Sequence, residues 1–436
     1  MTSKKEAAKP ARPPEEAPKE VFVWLWLPDE TEPVIAGRIE TDGKRQVFNY
    51  GRSYLGKRGA LPIYEPELPL KLGVIEPMAG LTMAGCLRDG APDAWGRRVI
   101  INRMFGHKGE AIDVGQIDEL TYLLQSGSDR IGALDFQTSS SKFVPRLGTQ
   151  ASLEELLSVA ELVEKGVPIT PELEQAVFHG TSLGGARPKA AIETAAKKYI
   201  AKFSASTDIT NVVKAEFVAM RMAAKLGLNV AQTELKRAGG KDVILIERFD
   251  RVKTERGWTR KSMVSALTLF GLDEMMGRYG SYQELADIIR KRFTEPKKTL
   301  LELFARLVFN VLCGNTDDHA RNHAAFWNGE TLSLTPAYDI CPQTRNGREA
   351  NQALFITGEK RMSTLATCLE AAPHFLLSEK AALELIERQV VTIRASWLEL
   401  AEEAALTEID RGLMWGRQFL NPYAFEDAPE KLAALA

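Results

Sequence analysis

Cysteine is scarce in this chain, and it is scattered. Cys86, Cys313, Cys341 and Cys368 form no CxxC pair, which argues against a zinc ribbon or a disulfide framework and fits a reducing cytoplasm. Histidine is equally sparse. Of the five, His319 and His323 have the spacing of a helical metal pair, but no glutamate lies between them, so a zinc-protease reading is weak. No apolar run approaches the ~20 residues that cross a bilayer, and no membrane partner is expected. Excess charge of either sign is also missing. A formal net charge of −2 provides no basic field, so any DNA-associated role needs a local patch or a DNA-binding partner. The first twenty residues, MTSKKEAAKPARPPEEAPKE, have no apolar core behind their lysines and are not a secretory signal. Their mixed charge, proline and alanine predict a disordered tail over residues 1–20. No internal repeat is evident.

What is present is the composition of a globular chain. With 436 residues, 44% hydrophobic and 26% charged, it can hold two or three domains around a substantial core. VFVWLWL from Val21 and the alternating stretches of Val34 to Tyr50, broken at Asp42-Gly43, read as strands. Residues 88–104 read as a turn and then a helix, and IGALDF (131–136) as another strand. Residues 21–140 are therefore expected to form a β-rich first lobe, with the polar run SSSK (139–142) as a linker. From Ser152 an amphipathic helix opens on a capping box with Glu155. Strands are expected at 190–195, 199–203 and 243–250, with a helix from Val212 capped by Asn211 and closed by Gly227. Residues 150–280 thus form an α/β unit, and residues 281–436 read as mainly helical. The class is α+β.

The chemistry concentrates in GNTDDHARNHAAFWNGETLSLTPAYDI, residues 314–340. The stretch before it, TLLELFARLVFNVLC, has Leu300, Phe304, Leu307 and Val311 on one apolar helical face. A buried helix thus delivers a polar loop. Within it Asp317 and Asn322 stand five apart, the spacing of the protein-kinase catalytic loop. Asn328-Gly329 between two β-prone stretches is a hairpin signal, and the returning strand delivers Tyr338-Asp339. One Asp to orient a hydroxyl nucleophile, with an Asn and a second Asp to hold Mg²⁺ on phosphates, is the set that phosphoryl transfer needs. Each residue alone has a plainer explanation, since Asp-rich loops are usually turns with satisfied side chains. Helix, DxxxxN, hairpin and Asp together are much harder to reach by chance.

The upstream parts follow in kinase order. Lys202 lies inside the strand YIAKF, where its alternative is an edge-strand lysine, and Glu216 on the next helix is its candidate partner. GTSLGGARPK (180–189) is a Gly/Ser loop whose amides could cradle phosphates, with charge from Arg187 or Lys189. Ala186 stands where a Walker A loop has its lysine, which disfavours a Walker ATPase. VILIERF ends at Glu247-Arg248-Phe249, where a hinge would present backbone groups and a phenyl face to adenine.

SLGGARPK, YIAKF, LIERFDR, NTDDHARN and LTPAYDI resemble, in that order, the motifs of HipA-type toxin kinases. The likeness spans roughly residues 21 to 425. It implies a distant relative of protein and lipid kinases, with a β-rich N-terminal lobe on a mainly helical C-terminal one. Carried over residue by residue, it implies ATP and Mg²⁺ as cofactors, Asp317 as catalytic base, and Asn322 and Asp339 as metal ligands. His319 and Tyr338 would line the site, Lys202 would meet the ATP phosphates, and Gly184, Gly185, Ala186, Arg187 and Lys189 would form the loop over them. Glu247, Arg248 and Phe249 would be the hinge. Ser182 matches the loop serine whose autophosphorylation silences the family's enzymes. The family's partners are a HipB-like helix-turn-helix antitoxin, operator DNA reached through that antitoxin, and a protein substrate. In the best-known member that substrate is glutamyl-tRNA synthetase, and relatives choose other aminoacyl-tRNA synthetases. Two departures stand out: Arg187-Pro188 replaces Gln-Glu, and Asp318 replaces a glycine and could compete as base, although the five-residue spacing to Asn322 favours Asp317. A small-molecule phosphotransferase and a catalytically dead scaffold are the competing readings.

Overall fold

A computed structural model describes residues 17–106, 117–148, 151–169, 173, 181–182, 184–345 and 347–435. Most of the N-terminal segment expected to be disordered lies outside them.

The first lobe is built on an antiparallel sheet. Its strands are β1 (Glu20–Leu25), β2 (Val34–Asp42), β3 (Arg45–Tyr50), β4 (Val74–Ile75) and β5 (Leu134–Gln137), in the order β4-β3-β2-β1-β5. Asp42 pairs with Arg45 across a two-residue turn in which Gly43 takes φ +60°, a conformation a side chain would disfavour. Between β4 and β5 the chain leaves the sheet as α1 (Ala94–Phe105), and α1 packs on the next sheet.

That second sheet comprises β6 (Lys189–Glu193), β7 (Lys198–Phe203), β8 (Thr233–Ala238) and β9 (Lys241–Glu247), in the order β6-β7-β9-β8. Side chains alternate across a strand, and both faces are used. Ala201, Phe203, Val243 and Leu245 meet Trp95 and Val99 of α1 and Val159 and Val163 of α2 (Leu153–Glu164). Ile244 and Ile246 turn the other way, into the main core with Val213, Phe217 and Met220 of α3 (Val212–Lys225). Lys202 shares that second face and sits on a central strand, paired to Lys189 on β6 and Ile244 on β9. Its edge-strand explanation is therefore excluded. The expected caps are in place: Ser152 and Glu155 make both bonds of the capping box, and Asn211 accepts from Lys214 N.

Beyond β9 come the hairpin of β10 (Arg251–Thr254) and β11 (Gly257–Arg260), then β12 (Met263–Ser265). The helical lobe follows, with α4 (Tyr282–Arg292), α5 (Pro296–Cys313) and α6 (Glu379–Glu403). α5 is buried nearly all round, as a helix at the centre of a lobe must be. The expected hairpin is β13 (Ala324–Trp327) with β14 (Leu332–Leu334), and β12 adds to β13 as a third strand. Among the described residues no helix is long and apolar enough to cross a membrane.

Candidate active site

α5 ends at Gly314, whose φ of +73° turns the chain sharply. A Cβ there would sit 2.8 Å from Gln418 O, so only glycine permits both the turn and the close approach. The loop that follows is pinned from inside. Asp318 is buried, receives the Tyr282 hydroxyl and lies 3.0 Å from His323 Nε2. Burial would raise its pKa, but His323 and Tyr282 outweigh that and hold it below the carboxylate range. Asp318 is thus a structural carboxylate, and Asp317 is the one that faces the cavity. His319 and His323 do not form a metal pair either: His323 is committed to Asp318, while His319 lines the cavity.

The cavity measures about 540 Å³, within the size range of small-molecule sites. Every site residue named from the sequence lines it, from Ser182 on the glycine loop to Asp339 after the hairpin. The segment before Asp339 is anchored by the exchange Ala231 N to Ala337 O and Ala337 N to Asn229 O. Asp339 itself adopts φ +58°, an unusual backbone state of the kind that concentrates at functional sites. Tyr338 donates to Arg321 O at 2.7 Å, and its ring lies 5.6 Å from that of Phe249. Asn322 Nδ2 donates to Asp317 O at 3.0 Å, which leaves the amide oxygen as its acceptor.

Lys202 joins the two lobes' chemistry. Its ammonium lies 2.6 Å from Glu216 Oε1 and 2.5 Å from Asp339 Oδ1. Burial works against the charge on each partner. For Asp339 it is outweighed by Lys202 and Lys189, which hold the carboxyl down at about 2. For Lys202 the two carboxylates win and raise the pKa above its ordinary value. Glu216, the more enclosed acid, goes up through burial and the neighbouring Asp339. Asp317 is also raised, first by loss of water at the cavity floor and then by its carboxylate neighbours, against His319. Its side chain remains open to the cavity.

These donors fit a hydrated magnesium ion. Mg²⁺ is typically held by one or two carboxylates together with waters and substrate phosphates, not by an all-protein cage. Asp339, ionised and with its side chain 37% exposed, and the Asn322 amide oxygen supply such a half-site. Among the described residues no cluster of three or more His, Cys, Asp or Glu could hold a metal unaided.

Other named residues have partners of their own. Arg187 is clamped by Asp208 through two bonds, at 2.5 and 2.9 Å. Glu247 pairs with Lys197 at 2.6 Å. The Arg248 side chain is buried against Asp129 and Asp250, and its backbone N–H donates to Lys198 O at 2.8 Å, which leaves its carbonyl for a ligand. Lys189 donates to Gly184 O. Sequence reasoning missed Asp93 and Arg321, which meet at 2.6 Å on the cavity wall. The first-lobe phrase PDAW is a helix start, and nothing in it signals a residue of the site.

Comparison with known proteins agrees with this order of parts. The HipA N-terminal domain matches residues 30–137, and the HipA-like C-terminal domain matches residues 181–397. Y4mE of Sinorhizobium fredii is 26% identical over 149 residues, covering 33% of this chain and 34% of its own. The serine/threonine-protein kinase toxin HipA of Shewanella oneidensis is 26% identical over 141 residues, covering 29% of this chain and 33% of its own. The chain thus matches about a third of the length of these relatives. The Shewanella oneidensis MR-1 HipA structure, solved with HipB and operator DNA, superposes with a TM-score of 0.64 at 18% identity, covering 91% of this chain and 95% of that one. With both domains present in order along one polypeptide, the chain belongs to the HipA family.

Proposed function

We propose that this chain is an ATP- and Mg²⁺-dependent protein serine/threonine kinase, the toxin of a HipBA-like toxin–antitoxin module. The observation that carries the reading is the meeting of the Lys202–Glu216 pair, the Asp317–Asn322 loop and Asp339 in one cavity. Lys202, held charged, attracts phosphate oxygens. Asp339 and Asn322 hold Mg²⁺, which neutralises charge on the phosphates when bound. Asp317, with its affinity for a proton raised, accepts hydrogen from the incoming hydroxyl. The phenyl face of Phe249 and the backbone carbonyls at Glu247 and Arg248 receive the adenine, since both N–H groups are committed to Gln232 O and Lys198 O.

The same reading takes Ser182 as an autophosphorylation site. Ser182 is 3% exposed, lines the cavity, and its Oγ has no hydrogen-bond partner among the described residues. A phosphoserine carries close to two negative charges and would repel ATP phosphates from the same space. The protein substrate belongs to the translation machinery, with an aminoacyl-tRNA synthetase such as glutamyl-tRNA synthetase as the first class to test. A HipB-like antitoxin restrains the enzyme and supplies the contact with operator DNA, which suits a net charge of −2. The module works in the cytoplasm, as four separate, unpaired cysteines suggest.

Intact-mass analysis of purified protein incubated with ATP–Mg²⁺, beside Asp317→Ala, tests the reading. The expected result is one phosphate on the wild type, mapped to Ser182 and absent from the mutant. No added phosphate on protein that was unphosphorylated at the outset would overturn it in favour of a small-molecule kinase or a dead scaffold.

A further inference from the structure

The start of α1 belongs to the first lobe, yet Asp93, Trp95 and Gly96 there meet the glycine loop of the second. Asp93 occupies the N-cap position, where a carboxylate ordinarily accepts from its own helix, but it makes no such bond. Both its oxygens are turned elsewhere. Oδ2 accepts from Gly185 N at 2.7 Å, and Oδ1 accepts from Arg321 on the catalytic loop at 2.6 Å. Trp95 N donates to Gly185 O at 3.2 Å, so both polar groups of Gly185 are held from α1. The Trp95 indole donates to Lys189 O at 3.0 Å.

Glycines make this approach possible from both sides. A Cβ on Gly96 would lie 2.1 Å from Thr181 O, and one on Gly184 would lie 3.0 Å from Asp93 Oδ2. Gly185 has φ +99°, a state other residues rarely adopt. The loop is therefore bonded at Gly185 and Lys189 by Asp93 and Trp95, and it packs closely on this segment at Thr181 and Gly184, where Gly127 N and the Lys189 ammonium add bonds of their own.

We propose that residues 93–96 form a clasp that sets the phosphate-facing conformation of the loop, with Asp93 as a positioning residue. This rests on the nucleotide reading of the cavity. It makes the first lobe an integral part of the nucleotide site, and its docking a determinant of ATP affinity. Asp93 also joins the glycine loop to the catalytic loop through Arg321, so the two loops move together.

Amide hydrogen exchange on the full chain without nucleotide, together with ATP–Mg²⁺ titration, tests the clasp. In Asp93→Ala, peptides covering 181–189 should exchange at least tenfold faster while β7 and β9 keep wild-type protection. The dissociation constant for ATP should rise about tenfold, the scale expected for losing a charge-assisted hydrogen bond, and KM for ATP should rise more than kcat falls. Asp93→Asn keeps an acceptor for Gly185 N and should fall between the two. Gly96→Ala should loosen the same peptides by pressing on Thr181 while Asp93 stays intact. Wild-type loop exchange in both Asp93→Ala and Gly96→Ala overturns the proposal. So does faster exchange spread equally through β7 and β9, because Asp93 would then only hold the fold. If the wild type does not bind ATP, the nucleotide reading fails, and the exchange experiment still decides on the clasp.

Discussion

Two clusters of buried charge border the same cavity and are built for opposite ends. The first is Asp129, Arg248, Asp250 and Arg251, whose side chains are no more than 8% exposed. Here every charge is answered. Arg251 meets Asp129 at 3.0 Å, Asp250 at 2.8 Å and Gly132 O at 2.9 Å, while Arg248 meets both acids and the carbonyls of Asp129 and Arg130. Burial would raise the pKa of Asp250, but Arg248 and Arg251 take it down to about 2. This cluster fastens the first lobe to the end of β9. The second cluster, Lys202 with Glu216 and Asp339, is left incomplete. Two carboxylates are bonded to a single cation, Asp339 is open to the cavity, and burial with the extra acid raises Glu216. A saturated cluster holds two pieces of chain together; an unsaturated one is a place for a ligand's charges.

The largest effect should come from breaking the open cluster. Asp339→Asn keeps a residue that tolerates φ +58° but removes the charge that would hold Mg²⁺. Phosphoryl transfer should fall on the order of 10²–10³-fold, the scale of a lost electrostatic contact to the transition state. Stability should change little, because Lys202 keeps Glu216. Kinase assay and urea titration on one preparation check both halves, and a large stability loss would mean that the open cluster is structural as well. Arg251→Ala should do the reverse. Removing one partner from a buried network costs about 3–5 kcal/mol, read as a lower urea midpoint. Activity per folded molecule should stay close to wild type, and a matched loss of activity would erase the distinction between the clusters.

The same contrast explains what could be read from the sequence. Local chemistry was legible: the Ser152–Glu155 box, the Asn211 cap, the buried α5, and the five-residue step from Asp317 to Asn322. The hairpin was legible as well, although it spans four loop residues, 328–331, because Asn328 Oδ1 accepts from both Glu330 N and Thr331 N. The open cluster was within reach because kinase-like order links Lys202, Glu216 and Asp339. The closed cluster was not. Arg248 reads as a strand end, and its partner Asp129 lies in the first lobe with no local pattern to announce it. Asp93 was hidden for the same reason, since a good N-cap residue does not reveal that its carboxylate will leave its own helix. The spacing favoured Asp317 over its neighbour Asp318, but the contacts that occupy Asp318 were not legible, since Tyr282 lies far off in sequence on α4. The β10–β11 hairpin and β12 went unread, being short strands stabilised by pairing and not by a strong pattern of their own.

The smallest predicted effect separates the two lysines that face the phosphate site. Burial first, and then the Lys202 ammonium, lower Lys189 to about 8, with Asp339, Asp93 and Glu216 opposing the shift. Lys202 is raised by its two carboxylates and keeps its charge through the working range. As pH rises through about 8, Lys189 should lose its proton and its attraction for phosphate while Lys202 does not. kcat/KM for ATP reports the free enzyme, and it should decline a few-fold across that interval. Asp317 adds an acid limb of the opposite sign: burial and its carboxylate neighbours raise its pKa, so the base is lost to protonation at a higher pH than an ordinary aspartate would be. In Lys189→Arg the side chain cannot deprotonate, so the alkaline limb should disappear even if affinity falls overall. A limb that persists near pH 8 in that variant would assign it to another group and leave Lys189 as a support for Gly184 alone.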